Sequence, residues 1–203
     1  MTEQDERRLS TPGEATAEER SRPVRHGSDR REHGGTAPVS GPSGQPVVFG
    51  LLWPIKASRL RYVRRLPDGE ISIDDQVGLI PDGAFHFHTE ADGGFDVVVL
   101  RGTARFRGVV HLSGHGGALG ITIANPWLHV TSAAVRLSIE ATFAPVPGRI
   151  EVVESTRPRW SAGDGVVALS VGAPTLTGPG AALMGGFYGA GTVVGPLQAR
   201  VRA

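Results

Sequence analysis

The sequence predicts an all-β fold, an antiparallel sandwich or barrel-like domain carrying one or two short helices. Three observations predict it. From residue 70 onward, short segments of alternating or β-branched residues follow one another. Pro-Asp-Gly, Asp-Gly-Gly, Gly-Gly and Pro-Gly clusters interrupt them at close intervals, as in an antiparallel meander. Only two stretches show helical spacing or a helix-start signal.

Taken in order, the fold begins near Pro46 with the apolar run Val47-Val48-Phe49-Gly50-Leu51-Leu52. Pro54 then stands in the favoured first position of a helix. Ile55, Ser58/Arg59, Tyr62 and Leu66 recur at helical spacing until Pro67-Asp68-Gly69 stops the run, which predicts a helix from Pro54 to about Leu66. Alternation predicts strands at Glu70 to Ile73 and Phe85 to His88. Further strands are predicted at Phe95 to Leu100, Thr103 to Leu112, Leu119 to Ala124 and Val135 to Phe143. Ile150 to Val153, Val166 to Val171 and Leu197 to Val201 complete the series, with a second short helix from Pro179 to about Gly185.

Residues 1–45 read differently. Met1, Leu9, Val24 and Val39 are their only aliphatic side chains larger than alanine, too few to offset the entropy of ordering. Eight acidic and seven basic residues make this a disordered polyampholyte tail, in which His26 and His33 carry no site. Residues 46–203 are expected to form the single folded domain, with a near-neutral charge balance. That balance gives no reason to expect nucleic-acid binding.

The chain has no cysteine, which excludes disulfides, thiolate metal sites and a cysteine nucleophile. The longest apolar stretches, such as Val97 to Leu100, are far too short to span a bilayer, so membrane insertion is not expected. The N-terminus carries acid and lacks an apolar core, so no secretory signal is visible and the sequence as it stands reads as cytoplasmic. No Gly-x-Ser-x-Gly elbow, phosphate loop or paired-carboxylate motif appears, and no enzyme is expected.

Two segments concentrate the chemistry. Trp53-Pro54-Ile55-Lys56-Ala57-Ser58-Arg59-Leu60-Arg61-Tyr62 places Ser58 and Tyr62 on one helical face. Gly114-His115-Gly116-Gly117-Ala118-Leu119 sets a histidine among glycines that allow a tight turn and a close approach to a flat ligand. By itself Tyr62 reads first as a tyrosine packing a helix onto a sheet, and His115 can be read as a water-exposed turn histidine. His86 and His88 share one strand face and could bind Zn or Cu, but no third ligand is near in sequence. Trp127 and Phe187-Tyr188 are expected in the core.

The two segments, with Ala124-Asn125-Pro126 and Gly186-Phe187-Tyr188-Gly189-Ala190-Gly191 after them, resemble the HtaA domain of actinobacterial haem-uptake proteins from about Leu51 to Val201. The resemblance implies a module for haem capture, transfer or buffering, which binds ferric haem b and exchanges it with another haem-carrier protein. Tyr62 would be the axial ligand to the haem iron, and His115 would bond the tyrosine oxygen. Phenol loses its proton near pH 10 in water, so a donor that favours the phenolate helps it bind ferric iron. Ser58 and Lys56, the only lysine, would be pocket contacts. His111, four residues before His115, is the reserve candidate for the histidine role. Arg59 departs from the family, which usually has Phe there; it could clamp a propionate or weaken the apolar wall. Gly120 stands where the family commonly has Asp, and family members are typically exported or membrane-anchored. A structural or adhesion-type β-sandwich that has lost haem is the alternative reading.

A chain starting at Pro46 is expected to melt as cooperatively as the full chain and to bind equally well. Calorimetry and ligand titration of the two proteins side by side check the boundary.

Overall fold

The structure, a computed structural model, describes residues 49–80, 83–91, 94–141, 148–156 and 158–202. The expected tail, 1–45, with His26 and His33, lies outside the described residues. Among the described residues, the fold is an antiparallel sheet curled into a half-barrel, with two helices and one 3₁₀ turn. The expected all-β class with one or two short helices is what the structure has.

The chain enters through β1 (Gly50–Trp53), where Leu51 and Trp53 point into the core. Helix α1 (Ala57–Arg65) starts three residues later than Pro54, because Ile55 is itself buried and Pro54 and Ile55 stay non-helical. Core burial outweighs the proline helix-start signal here. The helix buries Leu60, Val63 and Arg59, while Arg61, Arg64 and Arg65 face solvent. Fully burying a leucine or valine contributes about 1.5–3 kcal/mol. Leu60 and Val63 therefore fix which side of the helix faces outward. The turn Leu66 to Gly69 ends it, with the Gly69 N–H donating to Leu66 O at 3.1 Å. A Cβ at Gly69 would lie 1.8 Å from the Val63 carbonyl oxygen, so only glycine fits that approach.

Next come β2 (Glu70–Ile73), β3 (Val77–Leu79), β4 (Phe85–Thr89) and β5 (Phe95–Asp96). The expected strand from Phe95 to Leu100 is cut short after two residues. Asp96 Oδ1 accepts the N–H groups of Val98 (2.8 Å) and Val99 (3.1 Å), and this local turn outcompetes a ladder. The expected strand from Thr103 to Leu112 is two, β6 (Arg101–Arg107) and β7 (Val109–Gly114). They part at Gly108, whose φ of 131° disfavours any side chain.

Strand β8 (Leu119–Val130) runs past the expected end at Ala124. It carries Pro126 through a bulge, the one kind of interior strand position that tolerates proline. Asn125 Oδ1 accepts the Gly108 N–H at 3.2 Å and so joins the break in one strand to the bulge in its partner. Strand β9 (Val135–Ala141) follows, the rest of its expected span lying outside the described residues. Then come β10 (Gly148–Ser155), β11 (Pro158–Gly163), β12 (Val166–Val171) and β13 (Thr175–Leu176). Helix α2 (Gly178–Leu183) is capped by Thr177 Oγ1, which accepts the Gly180 N–H at 3.0 Å. Strand β14 (Leu197–Arg202) ends the fold.

The principal strand order is β11-β12-β14-β1-β4-β6-β8-β9-β10-β13, with β7 on β8, β2 on β7, β3 on β4 and β5 on β6. Strands β4 and β6 pair through His88↔Arg107 and Thr89↔Phe106, and just beyond them the Glu90 N–H donates to Arg105 O at 2.8 Å. The concave side of the sheet holds Trp53, Phe85, Phe87 and Phe106, all essentially inaccessible. Phe95 of β5, a short strand beside β6, stacks on Trp160 of the end strand β11 at 5.7 Å between ring centres. No helix of the described residues is long and apolar enough to cross a membrane.

Two histidines on the sheet are held as neutral imidazoles. Burial, then the neighbouring His88, lowers the pKa of His86; burial, then Arg149, lowers that of His129. Unfolding frees both to take up protons near the ordinary value of 6.5. Their contribution is fully present above that value and lost as pH falls from it toward the folded-state pKa. The urea midpoint is expected to fall between about pH 7.5 and about pH 5.5, and to fall less in His86→Gln. Equal pH slopes for the two proteins would remove His86 as a cause.

Candidate functional site

Tyr62 and His115 meet at one end of the half-barrel. Tyr62 lies on the outward side of α1, more than a third exposed, because Leu60 and Val63 claim the inward side. Its hydroxyl and His115 Nε2 form a short hydrogen bond, and the two rings sit 5.8 Å apart at their centres. The histidine heads a 3₁₀ turn (His115–Gly117) that joins β7 to β8. His115 has a φ of 54°, a left-handed conformation uncommon for a residue with a side chain, and Gly116 follows at 61°. The glycines around His115 do form the tight turn expected of them.

The turn is held from below by Asp68. One carboxylate oxygen accepts the His115 N–H at 3.0 Å and the other accepts the Gly116 N–H at 2.5 Å. These two bonds, the Gly116 one first, hold the carboxyl below its ordinary value of 3.8, so Asp68 is ionised at neutral pH.

Around Tyr62 the remaining residues divide by chemistry. Ser58 Oγ lies 3.0 Å from the Tyr188 hydroxyl, and Lys56 Nζ sits 4.3 Å from the centre of the Tyr188 ring. Arg59 points inward and is almost wholly buried. Its guanidinium donates to the Met184 carbonyl and lies 4.6 Å from the Phe187 ring, 5.7 Å from Tyr188 and 5.8 Å from Tyr62. Arg59 Nε is buried with no hydrogen-bond partner among the described residues. Phe187 stands 6.4 Å from the Tyr62 ring and is 68% exposed, a large apolar face offered to solvent.

Phe187 and Tyr188 were expected in the core; Tyr188 is partly buried and packs against it, with its hydroxyl reaching Ser58, whereas the turn after α2 leaves Phe187 exposed at the rim. Trp127 is half-buried on the outer face instead, with the Arg149 guanidinium 3.9 Å from its ring centre and that of Arg105 at 4.5 Å. His111 does not join the group; its Nδ1 pairs with Thr122 Oγ1 across β7–β8 at 2.9 Å. His86 and His88 lie with ring centres 5.3 Å apart, and among the described residues no cluster of three or more His, Cys, Asp or Glu could hold a metal ion. Sequence reasoning missed Asp68, which reads only as part of a helix-stopping Pro-Asp-Gly; its partners lie 47 and 48 residues away.

Comparison with known proteins agrees with this architecture. The HtaA family profile matches residues 49–200. Among solved structures, the C-terminal domain of HtaA from Corynebacterium glutamicum is similar at 22% identity and a TM-score of 0.65, over 75% of this chain and 94% of that one. The N-terminal domain of the same protein gives 22% identity and 0.60, over 77% and 98%. The haem-binding protein HtaB from that organism gives 16% identity and 0.52, over 75% and 91%. At these identities the structural likeness speaks for the fold. No curated protein matches the chain.

Proposed function

Because the chain belongs to the HtaA family, we propose that it is a non-enzymatic module that binds ferric haem b through Tyr62, assisted by His115, for capture, buffering or transfer to another haem-carrier protein. The haem-binding nature of the similar HtaB supports the ligand class. The observation that carries the reading is the hydrogen bond between the Tyr62 hydroxyl and His115 Nε2, on an exposed rim beside an apolar ring.

The surroundings fit such a group. Haem, when bound, supplies a ferric iron that accepts a phenolate oxygen, a broad apolar face and two carboxylates. Tyr62 offers the oxygen. His115 Nε2 can accept the phenol proton and then donate it back as a hydrogen bond, which leaves negative charge on the phenolate oxygen. Phe187 offers an exposed face for apolar contact. Lys56 and the Ser58–Tyr188 hydroxyl pair are polar groups within reach of a carboxylate at the same rim. The buried Nε of Arg59, unpartnered among the described residues, is a further donor looking for an acceptor. None of these groups is arranged to activate oxygen or cleave a bond, and binding followed by exchange of the intact macrocycle needs no covalent step.

Hemin titrated into the purified protein is expected to give a saturable 1:1 absorbance change with a ferric, tyrosinate-type spectrum. A linear, non-saturating response would instead favour a structural β-domain. Tyr62→Ala is expected to abolish or severely weaken binding. His115→Ala is expected to weaken it on the order of 10–100-fold, as the loss of a residue that orients and tunes a ligand does. His111→Ala should leave affinity near wild type. Normal binding by Tyr62→Ala, or damage from His111→Ala with none from His115→Ala, would overturn the assignment.

A further inference from the structure

We infer that Asp68 is the positioning residue of the Tyr62–His115 pair, its carboxylate clasping the backbone of the histidine turn to the end of the tyrosine helix so that the two side chains meet before any ligand arrives. The inference rests on the haem-binding reading for its purpose, though not for its geometry.

Three observations carry it. Both oxygens of one carboxylate are committed to consecutive backbone N–H groups, at 3.0 Å to His115 and 2.5 Å to Gly116. Bonds to an ionised acceptor are stronger than neutral ones and fix direction as well as distance. The residues so held are in the left-handed region, with φ of 54° at His115 and 61° at Gly116. A side-chain-bearing residue stays there only where its surroundings over-determine it. Finally, Asp68 lies in the turn that closes the tyrosine helix. The Leu66 N–H donates to Val63 O and the Gly69 N–H to Leu66 O, both at 3.1 Å, so the turn that carries the carboxylate is bonded onto the end of α1.

The strand ladder separates this role from a merely structural one. Immediately after the turn, β2 pairs with β7 from Glu70↔Ser113 to Ile73↔Val110, and Gly114 pairs with Leu119 across the loop. Those backbone bonds bring the two segments together with or without the carboxylate. Beyond the ladder, the Ala118 N–H donates to His115 O at 3.1 Å and closes the turn. The carboxylate adds a hold on the N–H groups of the peptides on either side of the His115 Cα, and so on the direction in which its side chain leaves the turn. Asparagine in its place would keep the size but set a donor against one of the two N–H groups.

The test uses the full chain with Asp68→Asn and Asp68→Ala. Without hemin, amide hydrogen exchange at His115 and Gly116 is expected to quicken at least about tenfold. Leu112 and Ile121, in the adjoining ladder, are expected to keep their protection. With hemin, affinity should weaken on the order of 10–100-fold and the tyrosinate-to-iron band should shift, as in His115→Ala. Unchanged exchange at His115 and Gly116, or wild-type affinity and spectrum, would overturn the inference. So would loss of protection at Leu112 and Ile121 in both variants, which would make Asp68 a structural residue. Failure of the wild-type chain to bind hemin would sink the haem reading alone, since the exchange arm judges the clasp without haem.

Discussion

The site depends on the pairing of β2 with β7. Strand β2 leaves α1 after the Leu66 to Gly69 turn, and β7 runs straight into the His115 turn. Their register, Glu70 opposite Ser113, therefore sets how far the end of the helix lies from the turn. Two chain segments more than fifty residues apart are brought within hydrogen-bond reach by four backbone pairs and one carboxylate. A slip of one residue in that ladder would turn Ile71 of β2 away from the core and shift the end of α1, with Tyr62, relative to His115, which β8 holds in place. Core packing and site geometry are thus held by the same register, and neither can drift without the other.

The charge placed beside this pair is unusual. A guanidinium is costly to bury, and among the described residues Arg59 is met by one carbonyl and by the faces of three aromatic rings. Where relatives were expected to have an apolar ring after the serine, this chain has a cation sheathed in rings. The apolar wall is preserved, with Phe187 and Tyr188 supplying the surface and Arg59 lying beneath them. Such an arrangement keeps a positive charge 5.8 Å from the centre of the Tyr62 ring while Arg59 itself stays buried.

How much of this was legible in the sequence follows from the range of the interactions. Local signals located α1, the closing turn at Pro67-Asp68-Gly69, the histidine turn and most strands. Resemblance brought Ser58, Lys56, Tyr62 and His115 forward, and all four lie at or beside one rim. The start of α1 was misplaced because Ile55 is drawn into the core, a tertiary effect that Pro54 conceals. Strand β5 was overextended because Val97 to Leu100 look like a strand, whereas one Asp96 oxygen folds them into a turn. The merger of β6 with β7 failed at a single glycine. Asp68, Phe187 and Tyr188 could not be read as site residues, since nothing within a few positions of them marks their partners; those lie 47 to 130 residues away.

The half-barrel has a seam. Among the described residues β5 pairs with β6 alone and β11 with β12 alone, and β5 and β11 meet through the Phe95–Trp160 stack rather than through backbone bonds. A stacked pair of rings is worth about 0.5–1.5 kcal/mol beyond the area it buries, far less than a strand ladder. Contact along this seam is by side chains, the two rings together with the apolar Ala104, Leu128, Val167, Leu169 and Ala199 around them. Tyr62 and His115 are not among these residues: their contact is carried by α1 and by the turn between β7 and β8. A substitution that loosens the seam and one that loosens the tyrosine–histidine contact would therefore touch different residues.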